Sequence, residues 1–250
     1  MILLSLIACN HPESAPPTLR DLSLVAIQEF DSDGEEEIIQ RLVDCLGTFV
    51  SDEPYGVGFD HLAPEDVADI PHDEELVEWD RTGGAGVMAR MRGAVPDYAA
   101  TVPDPDQSWA EPSTYIAWDR TITDGTAEEF LAGADLGTWN HIEKGGPLGI
   151  VVPYDMDKDY RWFGDVLAQR SVVPEPGFDE GGDNGIIIGF TIEIWYTDDV
   201  GMVWYNGSWS QLKTIVDDIV SEDLLVQELI DGTLDYFWGT EEHVTGTAHE

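Results

Sequence analysis

Positive charge is scarce in this 250-residue chain. Eleven Lys and Arg stand against 51 Asp and Glu, a formal net charge of −40, and the only lysines are Lys144, Lys158 and Lys213. A surface so acidic repels phosphate backbones and anionic headgroups, which argues against nucleic acid as a partner. Cysteine is nearly absent. Cys9 lies in an apolar leader, and Cys45 lies among Ile38, Ile39, Leu42, Val43, Leu46, Phe49 and Val50 at helical spacing, so it reads as a small buried hydrophobe. No internal disulfide is expected, and stability must come from packing. Long apolar runs are missing too: the opening stretch of eight residues would span only ~12 Å as a helix, against a bilayer core of ~30 Å.

Catalytic signatures are equally absent. The sequence holds no G-x-S-x-G, H-E-x-x-H, Walker or C-x-x-C motif, and His11, His61, His72, His141, His243 and His249 show no metal-ligand spacing. Gly84-Ala-Gly-Val-Met-Ala89 fits a dinucleotide pattern, but that fingerprint must open a helix and here a strand follows. No catalytic residue is assigned.

What is present is a globular composition, 42% hydrophobic with 9 Trp, 8 Tyr and 8 Phe. Seven of the tryptophans fall at or after Trp118. Aromatics beside acids build sugar-binding clefts, although with 51 acids some pair will always be close. Core and hairpin packing is the preferred reading of these rings. The acidity has three candidate explanations: hydration in brine, where salt screens self-repulsion; service to divalent cations; or solubility alone. The first is preferred. Asp155, Asp157 and Asp159 alternate as at the start of a calcium loop and are the candidate Ca²⁺ ligands. Tyr160 at the sixth position and Val166 at the twelfth exclude an EF-hand, so a solvated turn is expected. The acidic stretches around Asp31 and Asp179 read as turns as well.

The order of the first segments carries a localisation. Leu6-Ile7-Ala8-Cys9 resembles the lipobox of bacterial lipoproteins, in which a leucine and small residues precede a lipid-modified cysteine. The resemblance implies that residues 1–9 are an export segment, that Cys9 is acylated, and that the protein faces the periplasm or exterior of a bacterial cell envelope. Residues 10–17, with Pro12, Pro16 and Pro17 and no large apolar side chain, read as a flexible tether. Residues 18–250 then form one acidic domain.

Within that domain Thr18 and Asp21 have capping-box spacing before a helix over 19–30, and a second helix is expected over 35–50. Strands are expected at 87–92 and 113–122, and a short helix after Thr126. Ile186, Ile188, Phe190, Ile192, Ile194 and Tyr196 alternate on one face of a long strand, returned by 202–212 as a hairpin. A helix from Ser221 to about Trp238, with Gly239 just past its end, is expected to cover that face through Leu225, Leu229, Ile230, Leu234 and Phe237. The class is α+β: a mostly antiparallel sheet with N-terminal helices and a long C-terminal helix packed on it. A capped helix, then Ala134-Asp-Leu-Gly-Thr-Trp139, then strands and a last helix, resembles the helix-grip lipid-binding fold. That resemblance implies an apolar ligand held between sheet and last helix. The leading expectation is a lipid-anchored binding or structural protein rather than an enzyme. A helix-grip carrier comes second, and a hydrolase using acidic residues third.

Overall fold

The computed structural model describes residues 18–32, 34–145, 151–213 and 222–249, with side chains of the last helix described from Val226 onward. Helix α1 (Leu19–Gln28) starts where expected: Thr18 Oγ1 accepts the Asp21 amide at 3.2 Å, and the Asp21 carboxylate accepts the Thr18 amide at 3.0 Å. Helix α2 (Glu35–Leu46) puts Ile39, Leu42, Cys45 and Leu46 in the interior, and Cys45 is a buried thiol outside any disulfide.

The sheet is wholly antiparallel. In chain order its strands are β1 (Tyr55–Phe59), β2 (Gly83–Met91), β3 (Tyr115–Asp124), β4 (Leu136–Gly145), β5 (Val151–Phe163), β6 (Val166–Val173), β7 (Gly177–Phe178), β8 (Gly185–Thr197) and β9 (Met202–Lys213). In space they run β1-β2-β9-β8-β6-β5-β4-β3, with β7 on β8. Short helices α3 (Val95–Ala99) and α4 (Ala127–Leu131) link strands, and α5 (Glu222–Thr245) ends the described chain.

Strand alternation sends β8 to two different cores. Ile188, Phe190, Ile192, Ile194 and Tyr196 do share one face, but α1 and α2 cover it. Helix α5 lies on the opposite face, with Trp195 and Trp204. The expectation that the last helix covers the Ile186–Tyr196 face is therefore corrected: periodicity tells which side chains share a face, not which helix seals it. Helix α5 also runs further than expected. Gly239 sits inside it, where an added Cβ would lie 1.6 Å from the Ala110 carbonyl oxygen, so glycine serves close approach rather than a stop. The left-handed cap is Gly246, whose amide donates to the Glu242 carbonyl at 2.8 Å.

The Gly84–Ala89 motif lies within β2. Its glycines admit rings: a Cβ on Gly84 would meet Trp209 at 2.4 Å, and one on Gly86 would meet Phe59 at 2.4 Å. Asp155, Asp157 and Asp159 lie in the middle of β5, not in a turn. Their alternation with Met156, Lys158 and Tyr160 is a strand's two-residue period.

The sheet curls around α5. Strands β9 and β3 are five strand spacings apart, ~24 Å in a flat sheet. Yet the Tyr236 ring of α5 lies 5.4 Å from Trp204 on β9 and 6.1 Å from Trp118 on β3. One ring can reach both only if the sheet wraps the helix.

Candidate functional site on the α5 face

The wrapped face is where a helix-grip protein would hold its ligand, and its side chains are unusual for an interior. Residues of one parity from β3, β4, β5, β6, β8 and β9 bring Arg120, Asn140, Lys158, Gln169, Glu193 and Asn206 beneath α5, all buried. Arg120 is 7% exposed, Lys158 4% and Glu193 3%. Lys and Arg are rarely buried this far unless paired. In a chain with so few cations, placing two of them here is a specific use of the sequence.

The network satisfies most of these groups. Asn140 Oδ1 accepts from Arg120 Nε at 2.7 Å and from Trp118 Nε1 at 3.0 Å, while its Nδ2 donates to Thr138 Oγ1 and the Met156 carbonyl, both at 3.1 Å. Arg120 Nη1 donates to the Val102 carbonyl. Glu193 Oε2 accepts from Trp204 Nε1 at 2.8 Å, and the Gln169 amide, oriented with its nitrogen inward, donates to Oε1 at 3.0 Å. Three buried atoms nevertheless have no partner: Arg120 Nη2, Trp195 Nε1 and Asn206 Oδ1. The Tyr160 hydroxyl lies close to the Arg120 guanidinium without the geometry that would satisfy Nη2. Each such atom costs roughly 1–3 kcal/mol of lost hydration.

Lys158 Nζ sits 5.0 Å from the centre of the Trp118 ring, and the Arg120 guanidinium lies 5.8 Å from the centres of Trp118 and Tyr160. Burial pushes Lys158 down to about 8; the nearby Glu193 charge opposes this and Arg120 adds to it. Burial raises Glu193, against the pull of Lys158 and the Trp204 hydrogen bond. Burial also lifts Tyr160 to about 12 and raises Tyr115 and Tyr236 well above an ordinary phenol. Desolvation with specific charge partners is the pattern of a functional site.

Between α5 and the sheet a small cavity of about 20 Å³ is lined by Tyr98, Tyr160, Gln169, Trp195, Trp204 and Tyr236 among others. That is room for one water. Outside, between α3 and α4, an open depression of about 250 Å³ is lined by Pro96, Ala99, Leu131, Gly133 and Trp162. A layer of rings separates the two: Phe130 of α4, fully buried, lies 5.9 Å from Tyr160 on the inner side and 5.9 Å from Trp162 on the outer side.

Of the residues singled out in the sequence, Cys9 lies outside the described residues. Asp155, Asp157 and Asp159 share the sheet face opposite the polar interior. Asp155 pairs with His141 at 2.8 Å and Asp159 with Arg170 at 3.0 Å. Burial raises Asp157, reinforced by Asp159 and Asp155. Among the described residues no group of three or more His, Cys, Asp or Glu side chains could hold a metal ion. The preferred reading of the aromatics as packing holds for Trp118, Trp195 and Trp204, which are buried in the cores of the α5 face. Sequence reasoning missed Arg120, Lys158 and Glu193. The available signal was parity: Lys158 shares a strand face with Tyr154, Tyr160 and Trp162.

No family model matches the chain, and no curated protein matches it. Among solved structures it is similar to a STAR-related lipid transfer protein fragment from Xanthomonas axonopodis, at 10% identity over 68% of this chain and 89% of that one, TM-score 0.47. Human STARD10 is similar at 7% identity over 68% of each chain, TM-score 0.44. The di-domain ARO/CYC StfQ of the steffimycin biosynthetic pathway is similar at 11% identity, over 85% of this chain and 58% of that one, TM-score 0.44. Likenesses this distant add nothing to the account of the site, and the helix-grip-like arrangement stands on the strand order and on the rings that meet across α5.

Proposed function

We propose that the chain is a helix-grip-type carrier that binds a small, largely apolar ligand between α5 and the curled sheet. The observation that carries this reading is the buried polar set around Arg120, Lys158 and Glu193, among which Arg120 Nη2, Trp195 Nε1 and Asn206 Oδ1 lack partners, where a purely structural core would place aliphatic side chains. The 20 Å³ cavity is the closed state, and a ligand would select a minor open state at a cost in apparent affinity. The depression beside Trp162 is the entrance this reading uses, with Phe130 as its gate. The hydrolase reading has less support, because the charges acting on Glu193 are the cations Lys158 and Arg120 rather than a second carboxylate.

The uncharged fluorophore 1-aminoanthracene tests this. Saturable 1:1 binding with energy transfer from tryptophan is expected, with faster association in Phe130→Leu, which thins the gate while keeping its apolar character. Absence of saturable binding in both proteins would contradict the carrier reading.

The lipobox resemblance supports a second element of the proposal, that Cys9 anchors the carrier to a membrane. No helix among the described residues is long and apolar enough to cross one. Each buried CH₂ adds ~0.8 kcal/mol, so two or three acyl chains hold where one would not. Mass spectrometry of membrane-extracted protein should show an acylated N-terminal Cys9 peptide. An intact Met1 on soluble protein from the bacterial host would overturn the anchor and leave the carrier reading untouched.

A further inference from the structure

Among the described residues, Arg120 and Lys158 are the two cationic side chains of Lys or Arg that are buried, and both lie on the α5 face. They share the Trp118 ring, with the guanidinium 5.8 Å and the ammonium 5.0 Å from its centre. Arg120 Nη2 has no hydrogen-bond partner, and Lys158 Nζ lies over a ring face, with Glu193 as the opposite charge acting on it. The one carboxylate in the cluster, Glu193, is already engaged by Trp204 and Gln169. Two buried cations therefore accompany one buried carboxylate in this cluster, leaving a local excess of positive charge beneath α5 in a chain whose net charge is −40.

We propose that this interior binds the carboxylate of a small organic acid, held by Arg120 Nη2 and Lys158 Nζ, with the acid's apolar body against Trp118, Tyr160 and Tyr236. The inference rests on the carrier reading and adds its ligand class. The chemistry suits the site. A carboxylate takes two charge-assisted hydrogen bonds and relieves an unpartnered donor, while the rings accept the apolar part. Lys158, with its ammonium held down to about 8, is still mainly cationic at neutral pH, so the positive excess persists under ordinary conditions. The acidic exterior does not forbid an anionic ligand, because its field is screened within about 8–10 Å at moderate salt whereas the buried cations act at contact.

The test is calorimetric titration of the full chain with benzoate, 1-naphthaleneacetate and decanoate, each against its uncharged primary amide. At least one acid should bind about tenfold or more tightly than its amide. Lys158→Gln and Arg120→Gln should each erase that preference, and Glu193→Gln should strengthen acid binding by removing a competing negative charge. Where a neutral variant does not fold, Lys158→Arg and Arg120→Lys, which keep the charge, should retain the preference for acid. Equal binding of acid and amide would overturn the anion site and leave the carrier reading standing. A preference for acid that survives in both folded neutral variants would place the anion elsewhere and overturn the assignment. Failure of every acid and amide to bind would remove the carrier reading and this inference together.

Discussion

A chain ending at residue 221, and so lacking α5, should fail to fold. Phe237 is fully buried and stacks on Trp204 at 4.3 Å, while Leu229, Ile230, Leu234 and Tyr236 pack on the same core. Glu241, fully buried, accepts the Arg92 amide at 2.5 Å, the Arg92 guanidinium at 2.8 Å and His249 Nδ1 at 2.7 Å, tying the helix to the end of β2. Removing one large buried aromatic costs about 3–5 kcal/mol, and a domain's whole stability is about 5–15 kcal/mol. Losing Phe237 with only two aliphatic neighbours reaches that total, and it opens Trp195, Trp204 and the buried charges to water. Phe237→Ala alone should lower unfolding free energy by about 3–5 kcal/mol in a urea titration. A truncated chain that melts cooperatively near the full-length temperature would show that the core lies elsewhere.

The second large effect is a response to salt. With a net charge of −40, unscreened repulsion works against the compact state. Most of the cations that could move to meet the acids are already held in place. Arg20, Arg90, Arg92, Arg161 and Arg170 are in ion pairs, and Arg120 and Lys158 are interior. The Debye length falls from about 10 Å at 0.1 M to about 3 Å at 1 M. The melting temperature should therefore rise by several degrees or more between low salt and molar NaCl, corresponding to roughly 2 kcal/mol or more for a domain of this size. KCl should serve equally well. The competing proposal, that Asp155, Asp157 and Asp159 bind Ca²⁺, predicts a saturating gain from millimolar CaCl₂ at low salt, less from MgCl₂, and its loss when all three become Asn. A flat NaCl response beside such a Ca²⁺ response would replace screening by cation binding. A flat response to every salt would leave solubility as the reason for the acidity.

Much of the scaffold was legible because local rules and the final fold agree. Thr18 with Asp21, the Cys45 stripe and the β8–β9 hairpin each combine a strong periodic or capping signal with a structure that follows it. The face that α5 covers was misread because periodicity does not say which helix seals a face; the other misreadings come from residues whose tertiary setting overrides their local habit. Gly239 usually marks a helix end, yet it lies inside α5 because Ala110 leaves no room for a Cβ. Asp155, Asp157 and Asp159 carry the chemistry of a loop but occupy a strand whose other face is interior. The glycines of β1 hide that strand from propensity, although they are what lets α5 approach: a Cβ on Gly56 would lie 2.7 Å from Ile230 and one on Gly58 2.9 Å from Val226. Arg120, Lys158 and Glu193 were the hardest to see, since charged residues in strands ordinarily face water. Only the curl of the sheet places them beneath one helix.

An interior ligand site would announce itself in the tryptophan indole N–H resonances during titration with a bound acid or with 1-aminoanthracene. Six of the nine indoles serve as reporters. Trp118, Trp195 and Trp204 border the polar interior, with the Trp195 Nε1 proton unpartnered, whereas Trp79, Trp109 and Trp139 lie away from it. Saturable shifts of the Trp118, Trp195 and Trp204 signals, with the other three unmoved, are the predicted result. Shifts confined to Trp79, Trp109 or Trp139, or none at saturating ligand, would contradict it.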